Sequence, residues 1–266
     1  MAGILFAAAL AAASPMAAPS SAEAPGADPA IFVVHDADTT IYLFGTFHAL
    51  DGKSAWFSDR VRNAFEQSNE LVLETLVPEA PNRAAVAHAA QPLSLTVAPS
   101  ASFLATTRMA INAGRSQGMH VANGADMVLR HFAEEEGKSV EGLETLQSQL
   151  NMFIQLPAAP PAPAARPAAG AEAMTSLSKS MAEMQVAWKH GDQAVFIRML
   201  GQLEQSSPET YRVMFTERNA RWADWIRARM QTPGTVFVAV GAGHLAGKDS
   251  VLVRLAQLGI PSARVN

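Results

Sequence analysis

Apolar and polar positions alternate, recur or cluster along the chain in a way that separates strands from helices. Ile31-Phe-Val-Val-His35 and Thr40-Ile-Tyr-Leu-Phe44 are short β-rich runs split by the turn signal Asp36-Ala-Asp38, and predict a hairpin. From Ser54 to Ser68, Phe57, Val61, Ala64 and Phe65 recur at helical spacing, with Asp59, Arg60, Arg62 and Glu66 largely opposite. Glu70-Leu-Val-Leu-Glu74 then predicts a strand, and Pro78 and Pro81 interrupt any regular element beyond it. Strand, helix and strand over such a distance is the pattern of a parallel βαβ unit.

Residues 100–136 predict helices interrupted near Gly114–Gly118 and at Asn123-Gly124. Lys138-Ser-Val-Glu141 predicts a short strand, and Glu144 the opening of a helix with Leu146, Leu150, Phe153 and Ile154 on one face. Residues 157–170 hold five of the 16 prolines and predict an exposed, extended loop. Helices are expected again over Ala171–His190, Gln193–Gln205 and Pro208–Met230. The chain then predicts a strand over Thr235–Val240, a helix to about Leu258 and a last strand around Pro261–Val265. The fold class is therefore α/β: one mixed sheet built from N- and C-terminal segments, with a central helical insertion.

Residues 1–24 carry no Lys or Arg, and the ten apolar residues Ile4–Ala13 precede Ser14, Pro15 and small residues. Ten is the length of a secretory leader's core and about half of a membrane span. We expect a signal peptide with an uncharged n-region, a periplasmic or secreted protein, and a single domain over 25–266. Nothing after the leader predicts a membrane span. Composition narrows the chemistry further. The 266 residues include no Cys, which excludes disulfides, thiolate metal sites and thiol nucleophiles. A net charge of −4 argues against a nucleic-acid partner.

Two strand ends carry one signature, Gly45-Thr-Phe-His48 and Gly241-Ala-Gly-His244, in which Gly45, Gly241 and Gly243 are expected to allow tight turns. Glu74 ends a third strand. Ligands bind at the carboxyl ends of strands in open α/β sheets, so the three side chains could meet there. Two His and one carboxylate with an open position form a common catalytic metal set, able to lower the pKa of a bound water. The bland alternatives are two ordinary turn histidines with a helix-capping Glu, or an anion cradle of Gly-rich turns. A dinucleotide site is discounted, because the segment after Ala246 is too short for the rest of such a unit. His35, His88, His120, His131 and His190 have no such setting, and no G-x-S-x-G elbow occurs.

The chain resembles the TraB/GumN family, related to the Tiki proteases and more distantly to erythromycin-esterase and ChaN-like proteins. The matching stretches are Tyr42–His48, Leu71–Glu74, Gly124-Ala-Asp126, Gly142–Thr145, Glu217-Arg-Asn219 and Val238–His244. The resemblance implies an α/β fold with both Gly-x-x-His motifs at one site, and metal-dependent peptide-bond hydrolysis as the Tiki branch is described. A divalent ion (Mn, Co or Zn) held by His48, Glu74 and His244 and a peptide or small-molecule substrate are then expected. Glu74, Glu144 and Arg218 are the candidate catalytic residues. Glu144 could serve as ligand, general base or helix N-terminal acid. Arg218 could reach the site or belong to a solvated, salt-bridged helix face. A non-catalytic extracytoplasmic protein binding metal, haem or peptide is the alternative, and a metal-free site with His48 as general base a third reading.

Overall fold

The computed structural model describes residues 28–53, 55–76, 101–156 and 167–265, with 101–107, 154 and 167–171 described by backbone alone. The expected leader, His88 and residues 157–166 of the Pro/Ala stretch lie outside the described residues.

Six strands form one sheet: β1 (Ile31–His35), β2 (Thr39–Thr46), β3 (Glu70–Thr75), β4 (Ser139–Glu144), β5 (Gly234–Gly241) and β6 (Ala263–Arg264), in the order β4-β3-β5-β2-β1-β6. The hairpin of β1 and β2 turns where Asp36 Oδ1 accepts from the backbone N–H groups of Asp38 and Thr39. β2 and β3 do not pair with each other. Both pair in parallel with β5, which lies between them. β4, from the middle of the chain, pairs in parallel with β3 and extends the sheet beyond its two terminal segments. Four parallel strands thus end at one edge.

Alternation along the strands divides the core. Phe44, Leu71, Leu73, Phe237 and Ala239 face α1 (Asp59–Glu66) through Phe65, together with Leu129 and Trp188. Those two residues belong to the helices Ala125–Glu135 and Pro167–Lys189, which follow α2 (Ala101–Arg115) as α3 and α5, with α4 (Leu146–Gln155) between them. Ile41, Leu43, Val72, Val236, Val238 and Val240 face the other way, onto Trp222, Ile226, Val251 and Leu255. The central strand is apolar on both faces because both are covered.

Three boundaries differ from expectation. Pro167–Gly170, expected as loop, are the first turn of α5; Pro fits there because the first N–H groups of a helix have no intrahelical partner. Glu144 does not open a helix. It is the last residue of β4, and Thr145 caps α4 by accepting from the Ser148 N–H. The segment expected as one helix over Pro208–Met230 keeps its direction but changes pitch: α7 (Pro208–Tyr211) passes through a π-helical turn at Arg212–Thr216 into α8 (Glu217–Arg229). After α6 (Ala194–Ser206) the remaining helix is α9 (Val251–Gln257). Among the described residues no helix is long and apolar enough to cross a membrane.

Candidate functional site

Parallel pairing places Thr46 opposite Gly241, so both Gly-x-x-His segments leave the same edge of the sheet. The sequence predicts tight turns at Gly45, Gly241 and Gly243, but none of them has a positive φ. Gly45 and Gly243 instead permit close approach: a Cβ on Gly45 would sit 3.1 Å from Ala242 Cα, and one on Gly243 3.3 Å from Phe215 Cε1. Gly241 donates its N–H to Glu74 Oε2 at 3.3 Å.

His48 is held from outside the sheet. The backbone N–H of Ala125, at the start of α3, donates to Phe47 O at 3.0 Å. A side chain at Gly124 would collide with the His48 carbonyl, its Cβ lying 2.7 Å from the carbonyl carbon and 2.8 Å from Asp126 Oδ1. The bare glycine therefore lets Asp126 approach His48 Nδ1, at 3.3 Å. His48 Nε2 points inward, 3.9 Å from Glu74 Oε2. His244 stands at the same 3.9 Å from that oxygen through its own Nε2. The two imidazoles share one carboxylate oxygen and differ in setting. His48 is 24% exposed and His244 fully enclosed, its ring between Phe215 and Trp222 with centroids at 4.8 and 4.4 Å.

The other oxygen of Glu74 belongs to Arg218, whose Nη2 lies at 2.6 Å, and receives Gln149 Nε2 at 3.3 Å. Arg218 is 1% exposed. It also donates from Nε to both oxygens of Glu144, at 3.0 and 3.1 Å, and stacks over Trp222 at 4.6 Å. Its Nη1 approaches Met214 O and His244 Nε2, each at 3.4 Å. The solvated-face reading of Arg218 is therefore incorrect. The π turn at 212–216 offsets the helix register, and Arg218, Asn219 and Trp222 all face inward. Glu144 is shared with Arg221 at 3.3 Å, which is 60% exposed.

Burial opposes ionisation of Glu74, but the charge of Arg218 more than offsets it and holds the carboxyl far below its usual range. Burial drives His244 down to about 3, so it is neutral. Burial also pulls His48 down, yet Asp126 and Glu74 outweigh it and the net direction is upward.

Two imidazole Nε2 atoms and a carboxylate oxygen are donors of the kind that bind a divalent ion, and each ring has an acceptor at its far nitrogen. Their 3.9 Å spacings exceed the roughly 3.4 Å between ligands of a tetrahedral ion with bonds of about 2.1 Å. Accordingly, among the described residues no group of three or more His, Asp or Glu stands, as placed, close enough to hold a metal ion.

Asp126, Asn219 and Gln149 touch the candidate residues, and the sequence alone assigns them no role. The first two sit within the motif stretches Gly124-Ala-Asp126 and Glu217-Arg-Asn219. Other histidines stay apart: His131 pairs with Glu135 on the surface of α3, and the His120 backbone bridges to Leu50. A small cavity behind Gly45 and Ala242, lined by Trp188, Phe196 and Leu245, is separate from His48.

No curated protein and no solved structure matches this chain. The sequence model of the TraB/PrgY/gumN family matches in two overlapping parts, residues 30–97 and 76–262, which together span nearly all of it. The chain belongs to the TraB/PrgY/gumN family.

Proposed function

We propose that the protein is an exported, metal-dependent hydrolase of peptide-like amide bonds. The observation that carries this reading is the approach of His48 Nε2 and His244 Nε2 to one oxygen of Glu74 where four parallel strands end. His48, Glu74 and His244 would hold a divalent ion such as Mn²⁺, Co²⁺ or Zn²⁺. When bound, the ion lowers the pKa of a coordinated water and polarises the scissile carbonyl.

The chain's own groups keep that site ready. Arg218 keeps Glu74 ionised and fixes one of its oxygens, leaving Oε2 toward the imidazoles. Its remaining donors go to Glu144, Met214 O and the vicinity of His244, so Arg218 acts by positioning. Glu144 offsets the second half of the guanidinium charge, a supporting part rather than that of a free base. Asp126 orients His48, the partly exposed member, with its Nε2 toward Glu74. Export rests on the apolar run Ile4–Ala13.

A second reading is favoured by the contact of His48 with Asp126: the same hydrolysis without an ion, with His48 as general base oriented by the carboxylate. Assaying the full chain on a peptide library with Mn²⁺, Co²⁺ or Zn²⁺, and after chelation, separates the two. Cleavage abolished by chelation and restored by an ion supports the first reading, and full activity after exhaustive chelation the second. Tight ligand binding without turnover under any condition overturns both in favour of a binding protein. His48→Ala and His244→Ala are each expected to lose divalent-ion binding with unchanged far-UV circular dichroism; retained binding in both sinks the metal claim.

A further inference from the structure

We infer that Asn219 is a positioning residue that fixes the proton of His244 on Nδ1, so that Nε2 keeps a permanent lone pair on the side of the Arg218 guanidinium. Contacts on both sides of the ring lead to this tautomer.

Asn219 is 1% exposed, and its Nδ2 donates to the backbone carbonyl of Asp249 at 2.8 Å. Only the amino end of the amide can face a carbonyl, so the orientation of Asn219 is determined and Oδ1 must point the other way. That oxygen lies 2.6 Å from His244 Nδ1. A carbonyl oxygen accepts, so Nδ1 carries the hydrogen. On the far side of the ring, Nε2 faces Arg218 Nη1 at 3.4 Å. A guanidinium has only donors, so the atom opposite it must be bare. Both contacts favour the same tautomer, but the 2.6 Å bond to Asn219 decides it: on the other side Arg218 stands at 3.4 Å and Glu74 Oε2, an acceptor, at 3.9 Å.

The carbonyl that anchors Asn219 is itself held. Asp249 receives Tyr211 OH at 3.0 Å on one carboxylate oxygen and Arg254 on the other, and Ser250 caps α9 immediately after it. Phe215 and Trp222 enclose the imidazole and oppose rotation of the ring. The chain of support therefore runs from Tyr211 and Arg254 through Asp249 and Asn219 to one nitrogen of His244. His48 has a carboxylate in the corresponding place, Asp126. The neutral amide at His244 leaves the buried cluster without a further negative charge.

The tautomer rests on these contacts alone; its consequence for ion binding and turnover rests on the hydrolase reading. Long-range ¹⁵N–¹H correlation spectra of the full chain report which ring nitrogen is protonated, with His244 identified by the signals lost in His244→Gln. The expected wild-type result is a single Nδ1–H form. Asn219→Leu, which keeps the shape and removes the acceptor, should give a mixed or Nε2–H form with Glu74 as the remaining acceptor, and Asn219→Asp, which keeps an acceptor beside Nδ1 but gives up the bond to the Asp249 carbonyl, should retain Nδ1–H. Mn²⁺ affinity should fall about 10- to 100-fold in Asn219→Leu. A wild-type His244 protonated on Nε2, or a leucine variant with an unchanged tautomer, overturns the inference even if the protein hydrolyses peptides. The Nδ1–H form in a protein without hydrolysis fails the functional reading alone.

Discussion

The two Gly-x-x-His segments read alike in the sequence and are built differently in the fold. The first leaves β2, is pinned by the bare backbone at Gly124, and brings a partly exposed imidazole against Asp126. The second leaves β5 as a short 3₁₀ turn and brings an enclosed imidazole against Asn219, between two aromatic rings. Both place Nε2 at 3.9 Å from Glu74 Oε2. Equal distance to the shared carboxylate with unequal burial means that one histidine is a surface of the site and the other part of its wall.

The change that breaks both halves at once is Arg218→Ala. It leaves Glu74 and Glu144 as buried carboxylates without their main counter-charge, and we expect a loss of about 3–5 kcal/mol in denaturant unfolding. A loss below about 1 kcal/mol would show that water reaches these carboxylates freely. Next come the histidines. His244→Ala empties a space between Phe215 and Trp222 and should destabilise by roughly 2–4 kcal/mol, as large-to-small core changes do. His48→Ala, at the partly exposed turn, should change stability by less than about 1 kcal/mol. Equal melting curves for the two variants would erase the contrast between wall and surface. Gly124→Ala touches the first turn alone: the new methyl group meets the His48 backbone, and about 1–3 kcal/mol should be lost while the tautomer of His244 is unchanged. Smallest is Asp126→Asn, which keeps an acceptor near His48. About a 10-fold drop in peptide hydrolysis is expected, with a melting temperature close to wild type. A drop as large as that of His48→Ala would make the carboxylate charge itself indispensable.

Much of this architecture is legible along the chain because it is local. Apolar runs at 31–35, 40–44, 70–74 and 235–240 are strands, and the Asp36–Asp38 turn closes the hairpin. The rest depends on docking. Arg218 and Asn219 lie in a run of charged residues whose exposed members, Glu217, Arg221 and Arg227, set its character. The π turn before them decides which two face inward, and no simple periodicity announces it. Asp126 looks like an ordinary first-turn acid of α3 until the absent side chain of Gly124 lets the helix start against His48. Glu144 reads as a helix opener since Thr145, the true cap, is its neighbour. The glycines of the two motifs show the same limit: their value lies in what packs against them, which spacing does not record.

Placement of β5 between β2 and β3 also dictates an order of assembly. Residues 39–46 and 70–75 are separated by a single helix, yet neither can pair with the other without occupying the lane that 234–241 fills. A growing or refolding chain must hold these two inner edges unpaired across a sequence gap that includes most of the protein. Such long-range pairing slows folding and exposes strand edges to the wrong neighbours. The second histidine arrives on the strand that closes this gap, so the site and the sheet are completed by one event, and no partly zipped sheet can hold the cluster.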